Sequence, residues 1–305
     1  MKVGVLKVSN TRSLKAIIGM SQAGFDKLLV MFTQTYYEIY LTRLKNRAPK
    51  ELRINYKIKS EKQLLLLALV NLKENLSIDF LASIFKLDIS NAHKNRQKAL
   101  GVLYKTLENF KLLPATNQLN NNDILEYLAT MDSLTIDATE QPINRPANNQ
   151  IQIVYYSGKK KCHTIKTLII VNDDKKILYI NSNHPGSIHD YTILKYCFDP
   201  QQNPHCFAHA NVKVDLGFQG IASDYQCGQV SIPHKKPKNG ELTAEQKQEN
   251  KVLASKRIIV EHCIGGVKRF RILSGTLRMK DFDLYEKIFA ICAGLWNFLL
   301  SVSQL

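Results

Sequence analysis

In Ser133-Leu134-Thr135-Ile136-Asp137-Ala138-Thr139-Glu140, the strand-like run Leu134-Thr135-Ile136 arrives at the carboxylate of Asp137. A second run of the same kind, Val212-Lys213-Val214, ends at Asp215. If the two strands are neighbours, both carboxylates emerge at the same end of one sheet. Taken alone, each Asp also fits a turn or a cap. The surrounding composition supports the sheet. Residues 152–156, 162–171 and 176–181 are rich in Ile, Val, Thr and Tyr and predict strands, as does 229–232. Pro185-Gly186-Ser187 predicts a turn and 189–197 a helix, while 233–240 reads as a basic loop. Residues 245–270 and 282–300 predict long helices. Strands first and helices after suggest one mixed sheet with helices packed on it.

Upstream the pattern changes. Residues 1 to about 112 contain few Gly or Pro, and apolar residues recur at helical spacing. Residues 63–72 form a leucine-rich run that predicts a core helix. Ser77 can cap a further helix with Asp79 in its first turn and Ile78, Leu81 and Phe85 on one face. A break at Leu87, Asp88 and Ile89 follows. Ser90 is then the expected cap of a helix carrying Asn91, His93, Lys94, Arg96 and Lys98. Helix, tight turn, polar and basic helix is the pattern of a helix-turn-helix, whose second helix enters the major groove. A solvated helix of an ordinary bundle would show the same pattern. Residues 113–122 read as a linker. The expected division is a helical DNA-binding domain over 1–115 and a sheet domain over 123–305.

The chain has 305 residues, 45% of them hydrophobic, with a net charge of +16 and a pI near 9.5. Such an excess of Lys and Arg predicts a polyanionic partner, nucleic acid above all, although a ribosomal or membrane-surface protein would also fit. Cys162, Cys197, Cys206, Cys227, Cys263 and Cys292 form no Cys-x-x-Cys pair and read as reduced thiols of a cytosolic protein. His205, Cys206 and His209 are close in sequence, but no second ligand pair at a zinc spacing accompanies them. The N-terminal twenty residues lack the apolar core of a signal peptide. The longest apolar run, 288–300, contains Asn297 and is too short to span a bilayer, so a buried helix is expected.

Glu261 lies among Ile258, Ile259, Val260 and Ile264, which predicts a place near the core. A carboxylate there needs a partner or a metal. Arg257 is one turn before it and Lys268 two turns after it, on one helical stripe that Arg269 and Arg271 keep basic. A plain Arg257–Glu261 salt bridge would explain the first two residues only. Three carboxylates from separate elements suit magnesium, which prefers oxygen ligands. Two such ions can activate a water and steady the leaving oxygen of a phosphodiester.

Five short motifs stand in order: Asp137-x-Thr139-Glu140, 185–190 (PGSIHD), Asp215-x-Gly217-Phe218, 232–236 (IPHKK), and Arg257-x3-Glu261-x6-Lys268. On these the chain resembles bacterial insertion-sequence transposases of the DDE superfamily, in the group whose nuclease domain is similar to Harbinger-type transposases. The resemblance covers about residues 60 to 300. It implies an α+β protein in which an RNase H-like nuclease domain follows the helix-turn-helix domain. Asp137, Asp215 and Glu261 would be both catalytic residues and ligands of two Mg2+ (or Mn2+) ions. The implied partner is double-stranded DNA, as element ends and as target, bound by a homo-oligomer, with no membrane involved. The expected location is the cytoplasm of a bacterium, at the nucleoid. The expected DNA contacts are Asn91, His93, Lys94, Arg96, Lys98, Lys235, Lys236, Lys268 and Arg269, with Arg257 and Asp190 in support. Asp190 fits a metal helper or, more readily, a helix cap. The rival readings are a catalytically silent regulator or adapter, and a two-metal nuclease that never joins ends.

Overall fold

The computed structural model describes residues 2–3, 6–7, 10–41, 57–116, 121–279 and 281–303. Residues 117–120 of the expected linker lie outside them. Contacts gather the chain into two units. One comprises Met1–Leu113, Val267–Gly275 and Lys287–Leu305; the other comprises Pro114–Gly266 and Thr276–Glu286. The sequence division kept everything after residue 123 together, whereas by contacts two C-terminal segments cluster with the N-terminal helices.

The first unit begins with a two-stranded ribbon, β1 (Lys2–Val3) and β2 (Leu6–Lys7), followed by helices α1 (Thr11–Ile18), α2 (Gln22–Tyr40), α3 (Glu61–Glu74), α4 (Ile78–Phe85) and α5 (Ile89–Asn109). Its centre is α3. Every residue from Leu64 to Leu72 is buried, as befits a helix apolar all round. All five helices start on a polar cap. Asn10, Ser21, Ser60, Ser77 and Asp88 each accept a hydrogen bond from the backbone N–H three residues on. The cap of α5 is therefore Asp88 and not Ser90, which lies inside the helix. A carboxylate at this position adds charge complementarity to the helix dipole, which a hydroxyl lacks. The Asn91 N–H bonded to Asp88 lowers that carboxyl's pKa. The turn between α4 and α5 is three residues long, with Lys86 in the left-handed region at φ 54°.

The last helix, α11 (Phe282–Ser303), is longer than the apolar run in the sequence. Within the first unit, Ile288–Ala293, Leu295 and Phe298 are buried, and Asn297 Nδ2 donates to Leu112 O. By length and composition Phe282–Val302 could cross a membrane, but 61% of that window is buried, which marks a core helix.

The second unit is built on a mixed six-stranded sheet of β3 (Ser133–Pro142), β4 (Tyr156–Ser157), β5 (Cys162–Val171), β6 (Ile177–Pro185), β7 (Phe207–Lys213) and β8 (Cys227–Ser231). β3 pairs antiparallel with β5, which pairs antiparallel with β4 and β6 along its other edge. On its opposite side β3 runs parallel to β7, and β7 parallel to β8. Residues Thr164–Val171 of β5 are all buried, so the strand is covered on both faces. One face carries Leu134, Ile136, Leu168, Ile170 and Val212. Against it lie α6 (Asn121–Ala129), through Ile124 and Leu128, α8 (Asp190–Cys197), through Ile193 and Leu194, and the short α9 (Ile221–Asp224), through Ile221.

One expected strand is a helix. Residues 152–156 lie largely in α7 (Asn149–Tyr155), and only Tyr156–Ser157 join the sheet. The Asn148 side chain accepts from Gln150 N and Ile151 N and starts the helix. Local capping outweighs the β-propensity of Ile, Val and Tyr where no strand edge is available to them. No residue of α7 is buried.

Candidate active site

The parallel pair β3–β7 sets the site. Ser133 lies opposite Asn211, Leu134 opposite Val212 and Thr135 opposite Lys213. Asp137 stands two residues past the last of these pairs and Asp215 two residues past the end of β7, near enough for the Asp215 charge to act on the Asp137 carboxyl. Asp137 is still within β3, with 17% of its side chain exposed. Its Oδ1 accepts from Ala138 N at 2.8 Å. Asp215 has left the ladder and caps a 3-10 turn, Leu216–Phe218, through Gly217 N at 2.7 Å. A Cβ at Gly217 would lie 2.9 Å from Asp215 Oδ1, so a larger residue there would displace the Asp215 carboxylate from its cap.

Burial raises the Asp137 pKa to about 6. The Ala138 N–H opposes the rise, Asp215 adds to it, Arg257 opposes it and Asp190 adds to it. Asp137 thus feels the charges of two further carboxylates, Asp215 and Asp190. Arg257 Nη2 is 4.0 Å from Asp137 Oδ2, and Arg257 Nε is buried with no hydrogen-bond partner. The expected partner of Arg257 was Glu261, but no ion pair joins these two among the described residues.

Asp190 neither caps nor stands free. The N-cap of α8 is His189, and Asp190 Oδ1 takes a salt bridge from Lys166 Nζ at 2.8 Å. The same nitrogen donates to Ile188 O at 2.7 Å. Lys166 is 8% exposed and escaped the sequence reading. Its signal was a single Lys inside the apolar run 164–171. The 185–190 motif brings Asp190 there. A Cβ on Gly186 would lie 2.2 Å from Thr164 Oγ1 and 2.8 Å from Tyr155 O, so only glycine fits the turn. Glu140 of the first motif accepts from Thr164 Oγ1 at 2.7 Å and serves the sheet.

Glu261 is exposed on α10 (Ala244–Lys268), which corrects the expected position near the core. The buried face of α10 in this unit runs through Val260 and Cys263, whose Sγ donates to Lys175 O. Ile258 is 46% exposed, so the isoleucines around Glu261 overstated its burial. Among the described residues no group of three or more His, Cys, Asp or Glu stands close enough to hold a metal ion, and this includes His205, Cys206 and His209. The donor set at Asp137 and Asp215 is nonetheless all oxygen, and it fits a hard divalent cation. All six cysteines are free.

The basic loop is tied to α10. His234 N donates to Asn250 Oδ1 at 2.7 Å, and the His234 ring meets Glu249 Oε2 at 2.5 Å. Lys235 Nζ donates to Gln219 Oε1, and Lys236 is exposed. In the first unit, Asn91, His93 and Lys94 are exposed on α5. Two expected contacts turn inward. Lys98 Nζ donates to Tyr36 Oη and lies over the Tyr36 and Tyr40 rings. Arg96 is half-buried, with Nε lacking a partner and its pKa lowered by burial. Arg269 is likewise half-buried, 6.0 Å from the Trp296 ring, and Arg271 pairs with Glu74 at 2.7 Å. Lys268 is half-buried at the last position of α10. The stripe expected to carry free cations past Glu261 is therefore largely engaged within the protein.

A family described as DDE superfamily endonuclease matches residues 136–297, a little over half of the chain. The chain is also 30% identical, over 182 residues, to the probable transposase for insertion sequence element IS702 of Microchaete diplosiphon. That alignment covers 59% of this chain and 62% of the relative, so less than two thirds of the relative's length is spanned. No solved structure matches the chain. An endonuclease class is thus what sheet, carboxylates and sequence define together. The chain belongs to the DDE superfamily endonuclease family.

Proposed function

We propose that the protein is a transposase that binds the ends of its mobile element, cuts them and joins the 3′ ends to target DNA. The observation that supports this is that Asp137 and Asp215 follow the paired stretch of the parallel strands β3 and β7 in a chain of an endonuclease family. In this reading Asp137 and Asp215 share two Mg2+ or Mn2+ ions, and Glu261 approaches from α10 to complete the set. Bound there, such ions supply an activated attacking oxygen and a stabilised leaving oxygen.

The chain's own residues do the rest. Lys166 holds Asp190 in place and offsets its charge. Arg257, with unspent donors beside Asp137, is placed to take a phosphate oxygen. Lys235 and Lys236 follow the strand, while Asn91, His93 and Lys94 on α5 read the groove in helix-turn-helix fashion. Copies of the chain pair on DNA, because two ends must be joined. The test is a joining assay with purified protein, duplexes made from the sequences flanking its own gene, and a supercoiled plasmid. Plasmid carrying covalently joined ends is expected. Cut ends that never join would leave a nuclease and end the transposase reading.

A further inference from the structure

The second unit holds a cavity of about 800 Å³ that the carboxylate site does not use. Its walls are apolar, from Val154, Tyr155, Leu277 and Phe282, and its rim carries Arg145 and Arg278. The rings of Tyr155 and Phe282 are stacked with centroids 6.4 Å apart. The cavity lies where Ile143 bridges Leu277, immediately after β3 ends at Pro142. One wall is α7, the helix with no buried residue, whose apolar side chains stand open in the structure.

The charge around it selects the occupant. Among the described residues no carboxylate lines the cavity, and the charged ones that do are Arg145 and Arg278. The turn from β4 to β5, which follows α7 in the chain, carries exposed Lys159, Lys160 and Lys161. Asp281 and Asp283 flank Phe282 in sequence without lining the cavity, and Asp281 Oδ1 accepts from Asp283 N and Leu284 N at the start of α11. Apolar and aromatic walls under a cationic rim suit a flat heteroaromatic base attached to phosphates. The volume is in the range of small-ligand pockets. Distance fits as well. From Asp137 to Pro142 is five residues of β3, roughly 16 Å at ~3.3 Å per residue. A stacked DNA strand covers that in about five steps at ~3.4 Å each.

We propose that this cavity receives one unpaired nucleobase of the bound DNA, a few nucleotides from the scissile phosphate, with Arg145 and Arg278 on the flanking phosphates. The proposal rests on the reading of the chain as a DNA-cutting enzyme and adds a base pocket to it. Extruding a base costs a few kcal/mol, and a base that is already unpaired spares that cost.

The experiment compares a synthetic duplex with the same duplex carrying one unpaired thymine, by fluorescence anisotropy with the full chain in chelator. Wild type should bind the second roughly tenfold more tightly. Ala147→Trp fills the cavity from an exposed position, and Ile151→Ser thins its wall. Both should keep affinity for the paired duplex and a wild-type melting curve while losing the preference for the unpaired base. Equal affinity for the two duplexes in wild type would overturn the proposal, as would a preference that survives both substitutions. Sedimentation of the free protein adds a third arm. A change of oligomeric state in Ala147→Trp would make the cavity a protein interface and contradict it. A chain that binds neither duplex would contradict the proposed function itself, whereas normal cutting without the preference would remove only the base pocket.

Discussion

Asp137 is a carboxylate held partly against its own charge. Its pKa is raised from 3.8 to about 6, so in metal-free protein its ionised form costs stability above that pH. The sign is fixed by the raised value: the penalty is absent below pH ~4 and fully present above pH ~6. Asp137→Asn should therefore stabilise the chelated protein at pH 7 by about 1–3 kcal/mol and change nothing at pH 3.5. Thermal melts at the two pH values check this. His184 has the opposite sign. Burial lowers its pKa to about 4, and its neutral ring is bonded to Asn181 and set edge-on to Tyr196. The unfolded chain takes up this proton first, so stability should fall by about 2–4 kcal/mol as pH drops from 6.5 to 4. Denaturant midpoints of wild type and His184→Gln across that window measure it, and a slope that persists in the variant would contradict the assignment. At this scale Asp137 and Asp215 were legible because each ends an apolar run of β3 or β7. Glu261 was misjudged because apolar neighbours in sequence are not neighbours in space on a helix, where Val260 and Cys263 face inward and Ile258 does not.

Among elements, the α4–turn–α5 segment matches its sequence pattern closely, but its cap and its outward face were only partly readable. Asp88 rather than Ser90 starts α5, and replacing Asp88 with Ala should lower the melting temperature. Lys94 is exposed, whereas Lys98 is spent on Tyr36 and Tyr40. Lys94→Ala should lower the salt dependence of DNA binding by about one unit, and Lys98→Ala should instead lower the melting temperature with little change in that slope. Binding isotherms over a salt series separate the two. The reverse pattern would mean that Lys98, not Lys94, meets the phosphates. Sheet elements were the most legible, β5 residue for residue, because its β-branched Thr, Ile and Val favour a strand over a helix. The α7 segment was not, since Asn148 acts through its side chain on two backbone N–H groups, which apolar periodicity does not reveal.

For the whole molecule, sequence order and contact order part company at the C-terminus. Leu107 and Leu113 lie against Gly294 of α11, and Asn297 holds Leu112, so the N-terminal unit draws on the last helix of the chain. No local pattern reports a contact across 185 residues. A fragment ending at residue 115 should accordingly melt without cooperativity, as circular dichroism would show, although it contains the whole expected DNA-binding domain. The mixed sheet, the basic charge and the two aspartates were all legible, and they converge on one claim: that the β3–β7 register builds a cation site for DNA cutting. The most direct test is cleavage of the gene's own flanking duplex by the full chain in magnesium, set beside Asp137→Asn and Asp215→Asn. The account predicts cutting by wild type that stops in excess chelator, and loss of at least two to three orders of magnitude in either variant with duplex binding intact. Wild-type cutting by Asp215→Asn, or undiminished cutting in chelator, would contradict it.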